Sequence, residues 1–510
     1  MEYKYPGRII LNYIKNINEY INGMVWGIPM IVLILGTGIL LSFKTRFFQV
    51  TKVKLWINET VVSIFKKKEV TEHSGKDEKT ISPFQAMSTA LAATIGVGNI
   101  AGVSGAIITG GPGAVFWMWI SAIFGMMTGY CENVLGIYYR KKDVNGQWNG
   151  GAMYYLEEGL KEKKHMKVLA KPLAVAFSVF CIGASFGMGN MTQVHEISKS
   201  LKDSFNIEEY ISIGSINLPS NLLIGLMCGL VTAAVIIGGI KTIGLVTEKF
   251  VPLMAAIYVF FSFIVILPNI FKLPMVICSI VKSAFGIKPV SGAVMGISIK
   301  NVISSGFKRG IFSNEAGLGS SVMVHSASNI KEPAEQGMWS IFEVFFDTII
   351  MCTLTAFVIL CSGIVNLKTG EVYTNATGAS VVSKALEGTL GAISGKIVAV
   401  EICFFAFSTV IGWSYYGIMA WKYVFGENNM YLYKVLYIIF VIYGATMNFE
   451  LAWGISDTLN GLMALPNLIG VLFLSDKVIN ITDNYIRRKI KHEKIEPVVS
   501  SYDNIQKIYR

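Results

Sequence analysis

Apolar positions in this chain are gathered into long uninterrupted runs, separated by short polar segments, rather than alternating in the manner of half-buried strands or surface helices. Eleven such runs can be marked, at about 24–43, 82–108, 113–138, 172–198, 220–239, 248–267, 293–328, 337–364, 397–421, 432–448 and 452–474. A helix needs roughly 20 apolar residues to cross a hydrocarbon layer about 30 Å thick, and inside that layer lipid offers the backbone no hydrogen-bond partner. The pattern predicts an all-α membrane protein of about 11 transmembrane helices. The first run follows Lys4, Arg8 and Lys15 and leads into a basic segment instead of a small-residue cleavage site, so it is expected to be a retained span.

Two runs break their own pattern. The second holds Thr94, Gly96, Gly98, Asn99 and Gly102 at its middle, and each glycine there costs roughly 1 kcal/mol against alanine in a plain helix. The seventh, too long for one simple crossing, holds Lys308, Arg309 and Glu315 among Gly306, Gly310, Gly317 and Gly319. Both are expected to unwind at mid-membrane, where irregular backbone is tolerated if it faces a cavity. Ionisable groups at such depth are functional candidates, although Lys308 or Arg309 could equally pair with Glu315 or another carboxylate to pin the break. Gly96–Ala101 fits the GxGxxA dinucleotide fingerprint, but that motif belongs between a strand and a helix, and here it sits within an apolar span.

Two interrupted helices, each opening a block of about five runs, is the pattern of inverted-repeat transporters with a mid-membrane site. Repeat one would cover about 82–267 and repeat two about 293–474, with the first run outside both. Gly96-Val97-Gly98-Asn99 then corresponds to Gly317-Leu318-Gly319-Ser320 at an offset of 221 residues.

Composition supports the class. Of 510 residues 53% are hydrophobic and only 15% charged, against about a quarter charged in soluble proteins. The net charge of +11 is unevenly placed. Residues 44–79 carry nine Lys and Arg, 139–171 carry eight and 475–510 carry eight, whereas the intervening segments carry three or fewer. With eleven crossings all three basic segments share one side, so the positive-inside rule puts the N-terminus outside and the C-terminus in the cytoplasm of a cell-membrane protein. The expected division is an N-terminal helix and polar, basic linker (1–80), a transporter core (81–475) and a basic tail (476–510). The seven cysteines are scattered through apolar stretches without a CxxC pair and are expected to be packed side chains.

At its glycine-rich segments the sequence resembles the alanine or glycine:cation symporter family, the sodium:alanine symporters. The resemblance rests on ATIGVGNIAGV (93–103), GGPGAVFWMW (110–119), NGGAMYYLEEGL (149–160), KRGIFSNEAGLGS (308–320) and FAFSTVIGWSYYG (405–417), in family order over residues 80–475. It implies the five-plus-five inverted-repeat fold of bacterial leucine transporters, with one added N-terminal helix. It also implies secondary active symport of a small neutral amino acid, of alanine or glycine type, with sodium. Relatives that take glutamine, and coupling to protons, remain open at this stage, as does a sensor built on the same fold.

A zwitterion at mid-membrane needs both charges met, since burial without partners costs several kcal/mol. Its carboxylate can take backbone N–H groups around Gly96, Gly98 and Asn99, where a half-helix begins. Its ammonium can take carbonyls near Thr94 or Ile95 in the first break and Ser313 or Asn314 in the second. The resemblance puts the sodium site at the carbonyls of Ala92 and Ile95 with the hydroxyls of Ser408 and Thr409, which could otherwise simply bond back to their own helix. It makes Gln193, in the polar patch Asn190-Met191-Thr192-Gln193, the preferred substrate contact. Trp413, four residues after Thr409, is either a pocket wall or packing. Glu343 and Asp347 share one helical face and could pair with Lys308 or Arg309 or relay protons. Glu132 is expected beside the Arg140–Lys142 cluster.

An enzyme is not expected: five histidines without HExxH or HxxxH spacing supply no convergent acid, base or metal set, and no organic cofactor motif stands. Repeated filter residues or charged rings of a channel are not seen either. The partners expected are the amino acid, sodium and the bilayer, with no nucleic acid. The sequence does not set the oligomeric state; a monomer is compatible with it.

Overall fold

The computed structural model describes residues 6–71, 80–143, 146–213, 216–286, 299–446 and 449–508. Part of the polar linker (72–79) and the start of the seventh apolar run (293–298) therefore lie outside the described residues. Helices α1 (Pro6–Val25) and α2 (Ile28–Lys44) come first, followed by short helical turns up to Thr71. The first interrupted span is α3 (Pro83–Thr94), a π turn at Gly98–Gly102 and α4 (Val103–Gly110), with α3 and the following piece bent by 51°. Then come α5 (Gly113–Tyr138), α6 (Lys167–Phe186), a π turn at Gly187–Met191, α7 (Thr192–Phe205), α8 (Ser220–Ile236), α9 (Gly239–Ile266) and α10 (Leu273–Ala284). The second half holds α11 (Ile299–Asn314), α12 (Pro333–Val344), a π turn at Phe345–Cys352, α13 (Thr353–Cys361), α14 (Ser380–Leu390), α15 (Ser394–Phe425), α16 (Met430–Gly444) and α17 (Phe449–Lys489).

Among the described residues, seven helices are long and apolar enough to cross a membrane, or eight if the bent pair is one span. The other expected spans, 220–239, 293–328 and 432–448, fall on the shorter helices α8, α11 and α16. Two features depart from the sequence-based expectation. Short antiparallel hairpins, β1 (Lys141–Lys142) with β2 (Trp148–Asn149) and β3 (Tyr210–Ile213) with β4 (Ile216–Pro219), interrupt the helical fold. Both lie between spans, where backbone groups no longer depend on a helix for partners. The stretch 365–396, left outside the expected spans, contains the helix α14.

Local chemistry explains how the interrupted spans begin and stop. Ser82 Oγ accepts the Gln85 N–H at 3.1 Å and Gln85 Oε1 accepts the Ser82 N–H at 3.1 Å, a capping box with Pro83 at the first helical position. Helix α11 stops at Asn314 because the next residue, Glu315, has φ 54°, followed by Gly317 at φ 93° and Gly319 at φ 74°. Those left-handed residues turn the chain, and the exposed carbonyls must find partners. Asn467 of α17 supplies one, donating to the Gly317 carbonyl at 2.8 Å while bonding Glu132 of α5 and Tyr155. Glu132 thus faces the second break, not the Arg140–Lys142 cluster as expected; a carboxylate buried in α5 finds its donor on the helix packed against it.

The two ends of α15 differ. Near Ser394 a cavity of about 490 Å³ opens between α7, α14 and α15, bordered by Glu196, Lys199, Asp203, Thr377, Ser380 and Lys384. At the other end the chain is closed. Lys422 pairs with Asp143 at 2.8 Å and with Glu427 at 2.5 Å. Arg140, lying over the Trp148 ring at 4.0 Å, donates to the carbonyls of Ser326 (3.0 Å), Ser328 (2.6 Å) and Ile330. The entry to α3 joins this closure, with Ile81 exchanging backbone bonds with Ala327 (3.2 Å) and Asn329 (2.9 Å).

Removing the clamp behind the second break should cost stability. Asn467→Leu leaves the Gly317 carbonyl and Glu132 without that donor, and an orphaned buried group costs about 1–3 kcal/mol. A lowered melting temperature of the detergent-solubilised protein is expected; an unchanged one contradicts the clamp.

Candidate functional site

The site is assembled from the two helix breaks, the π turns of two neighbouring spans and the middle of α15. Each π turn inserts one extra residue into a helix, which widens it and re-aims side chains; such turns recur at functional sites. At the first break, the Gly96 N–H donates to Asn99 Oδ1 at 3.0 Å, and Asn99 Nδ2 donates to Asp347 Oδ1 at 2.7 Å. Asp347 Oδ2 in turn accepts Ser313 Oγ at 2.8 Å from the second break and Thr348 Oγ1 at 2.8 Å. Asn314 Nδ2 donates to Thr348 Oγ1 at 3.1 Å, and the Asn99 carbonyl accepts Thr355 Oγ1 at 2.8 Å. One buried carboxylate therefore ties both breaks together.

Glycine makes the approach possible. A Cβ on Gly96 would stand 2.5 Å from Thr409 Oγ1 and 3.6 Å from Gln193 Oε1, and one on Gly98 would meet the Phe312 ring at 3.4 Å. Gly96, Gly98 and Asn99 thus neighbour Ser313 and its helix across the two breaks, whereas the Thr94 hydroxyl bonds back to the Ala90 carbonyl at 3.2 Å. Gln193, 3% exposed, donates Nε2 to the Met188 carbonyl at 3.0 Å, while its Oε1 has no partner. That buried acceptor stands beside the first break.

The expected ion ligands sit at the same level. Ser408 Oγ lies 3.5 Å from the Ile95 carbonyl and bonds the Phe405 carbonyl at 2.8 Å; Thr409 Oγ1 bonds the same carbonyl at 3.0 Å. Ile95 ends α3, and Ala92 is buried in its last turn. In this structure both hydroxyls bond back to their own helix, and they also border the break. Neutral carbonyl and hydroxyl oxygens in such a cluster suit a hard monovalent cation, and among the described residues no group of three or more His, Cys, Asp or Glu could hold a metal ion.

Trp413 is fully buried and donates Nε1 to Glu315 Oε1 at 2.9 Å; Glu315 Oε2 accepts Ser320 Oγ at 2.5 Å.

The expected charge pairings are met only in part: Lys308 finds another carboxylate, but Glu315, Glu343 and Asp347 find other partners. Lys308 pairs with Asp457 of α17 at 3.2 Å, where Asn22 also donates at 2.9 Å, so it pins α11 to α1 and α17 and reaches neither Glu315, Glu343 nor Asp347. Arg309 lies against α4, 3.7 Å from where a Cβ of Gly105 would be. Lys308 leaves α11 towards α17 and Arg309 towards α4, while Ser313 is the residue of this helix that meets Asp347. Glu343 meets His325 at 3.0 Å, whose other ring nitrogen meets Gln336 at 2.5 Å. Sequence reading missed His325, Gln336 and Asn467. Only the break in the seventh run hinted at them, since freed backbone and isolated polar groups near it require partners.

The profile of the sodium:alanine symporter family matches residues 11–500. The chain belongs to the sodium:alanine symporter family. Its members are symporters rather than enzymes, which makes this a multi-pass membrane transporter of a family whose transport is coupled to sodium. Curated relatives include the sodium/alanine symporter AgcS of Methanococcus maripaludis, 40% identical, with 94% of this chain and 99% of that protein covered. The probable sodium/glutamine symporter GlnT of Bacillus subtilis is 32% identical, with 92% of this chain and 90% of that protein covered. The putative sodium/proton-dependent alanine carrier protein YrbD of the same organism is also 32% identical, covering 92% of each. Among solved structures, that of MhsT in complex with L-phenylalanine aligns with a TM-score of 0.50 at 13% identity, covering 80% of this chain and 99% of that one. That likeness places the chain in the leucine-transporter-like fold.

Close packing at Gly96 is testable by itself. Gly96→Ala should destabilise by about 1–3 kcal/mol through overpacking, and Thr409→Ala should relieve it in the double variant. Gly105→Ala, with 3.7 Å of room, should be neutral. Additive effects of Gly96→Ala and Thr409→Ala on melting temperature contradict the packing described.

Proposed function

We propose that this symporter carries a small neutral amino acid, of alanine or glycine type, into the cell together with sodium by alternating access. The observation that carries the reading is the unpartnered Gln193 Oε1, buried beside Gly96 of the first break. A buried acceptor without a donor is costly, and an amino-acid ammonium would satisfy it. The substrate carboxylate is assigned to the backbone around Gly96, Gly98 and Asn99, with Thr94, Ser313 and Asn314 completing the polar lining and Trp413 forming a wall. Sodium is assigned to the carbonyls of Ala92 and Ile95 with Ser408 and Thr409. The relatives whose names give sodium and alanine support the same cargo.

In this reading the chain crosses the membrane eleven times, as two inverted five-helix repeats after an N-terminal helix, with the basic segments and C-terminal tail cytoplasmic. The cavity near Ser394 is then extracellular, and the Arg140 and Lys422 contacts close the cytoplasmic side. Alternating access would break the second set and close the first. One observation favours proton coupling as a second reading: His325 and Glu343 form a fully buried pair, with Glu343 Oε1 unpartnered.

Uptake of labelled alanine into proteoliposomes under an inward sodium gradient tests the proposal. Accumulation that follows sodium and is competed by glycine is expected. Uptake driven by protons without sodium selects the second reading, and uptake of glutamine alone moves the cargo. Gln193→Ala should raise the KM for alanine about tenfold or more, the worth of one hydrogen bond to a charged group. An unchanged KM removes Gln193 from the pocket.

A further inference from the structure

We infer that Glu315 is a positioning residue that fixes Trp413 and thereby sets the largest side chain the carrier admits; this rests on the proposed amino-acid pocket. Three observations converge on it. Glu315 occupies φ 54°, a left-handed conformation that glycine adopts without strain, in a segment where Gly317 and Gly319 take the other left-handed positions. A glutamate there carries a conformational cost that its side-chain bonds offset. That side chain is buried, and each of its oxygens has one assigned donor: Trp413 Nε1 at 2.9 Å and Ser320 Oγ at 2.5 Å. Finally, the indole is gripped from the far side, since a Cβ on Gly189 would stand 2.3 Å from Trp413 Cβ and Cγ.

The consequence is geometric. Trp413 stands one turn beyond Thr409 on α15, towards the Lys422 end, so its ring borders the side of the breaks opposite the 490 Å³ cavity. Gly189 belongs to the π turn of the neighbouring span, Gln193 to the first turn of the helix that follows it, and Glu315 to the second break. An indole held at both its base and its N–H cannot swing away to admit a longer substrate. Without the carboxylate the N–H loses its anchor, and only packing against Gly189 and the edge-on contact with Tyr416 at 5.4 Å remain.

The test compares alanine with methionine uptake in proteoliposomes for wild type, Glu315→Leu and Glu315→Gln, each also in a Trp413→Phe background. In Glu315→Leu the preference for alanine over methionine, as kcat/KM, should fall about tenfold or more, mostly through KM. Glu315→Gln keeps an acceptor for the indole and should stay within about twofold of wild type. In the Trp413→Phe background, with no N–H to anchor, Glu315→Leu should shift the preference no further. The indole hydrogen bond is read separately, from the ultraviolet resonance Raman difference between each protein and its Trp413→Phe counterpart. The tryptophan hydrogen-bond marker should move in Glu315→Leu and not in Glu315→Gln. An unaltered preference in Glu315→Leu, an equal shift without Trp413, or an unmoved marker overturns the inference. A wild-type protein that takes up no neutral amino acid defeats the functional reading instead, and the marker still decides whether Glu315 holds Trp413.

Discussion

The carboxylate of Asp347 accepts a hydrogen bond from Asn99 at one helix break and from Ser313 at the other, and the site depends on that double attachment. An interrupted helix in a membrane frees backbone donors and acceptors where water is scarce, so each break survives only if protein groups take up its bonds. Asn99 does so for Gly96, and Asp347 holds Asn99. Because the same carboxylate also holds the second break, neither can move freely without the other. A local backbone requirement thus becomes a coupling between two halves of the chain.

Behind this pair stand supports of the same kind from other helices. Asn467 reaches the Gly317 carbonyl, and Thr355 reaches the Asn99 carbonyl. These bonds leave Gly96, Thr409 and Gln193 packed on one another at the first break, with Gln193 Oε1 unpartnered among them. The contacts at the Lys422 end combine ion pairs and carbonyl bonds with buried packing around Arg140 and Ser326.

Much of this was legible in the sequence because membrane burial writes in long runs. The helical membrane class and the two breaks, at Gly96 to Asn99 and after Asn314, follow from apolar length interrupted by glycine and polar residues, whereas Thr409 came only from the family resemblance. The charge partners did not follow. Lys308 lies seven residues before Glu315 in one glycine-rich segment, which suggested a pair, but the helix carries Lys308 round to Asp457, 149 positions away in sequence. Likewise Glu315 found Trp413, 98 positions on, and Glu343 found His325. Partners across helices are set by packing, and a single sequence carries no signal for them. The π turn at Gly187–Met191 was hidden for a different reason: one extra residue in a helix leaves the apolar pattern almost unchanged.

The central claim is that both breaks form one site in which an amino acid and sodium bind together. Linkage makes it measurable without transport, because two ligands that stabilise one arrangement must raise each other's affinity by the same factor. Equilibrium binding of labelled alanine to the purified protein, titrated at several sodium concentrations with choline as replacement, is the most direct measurement. The account predicts that alanine affinity rises with sodium, and that alanine tightens sodium binding by the same factor. Alanine affinity that is identical in sodium and in choline would contradict it.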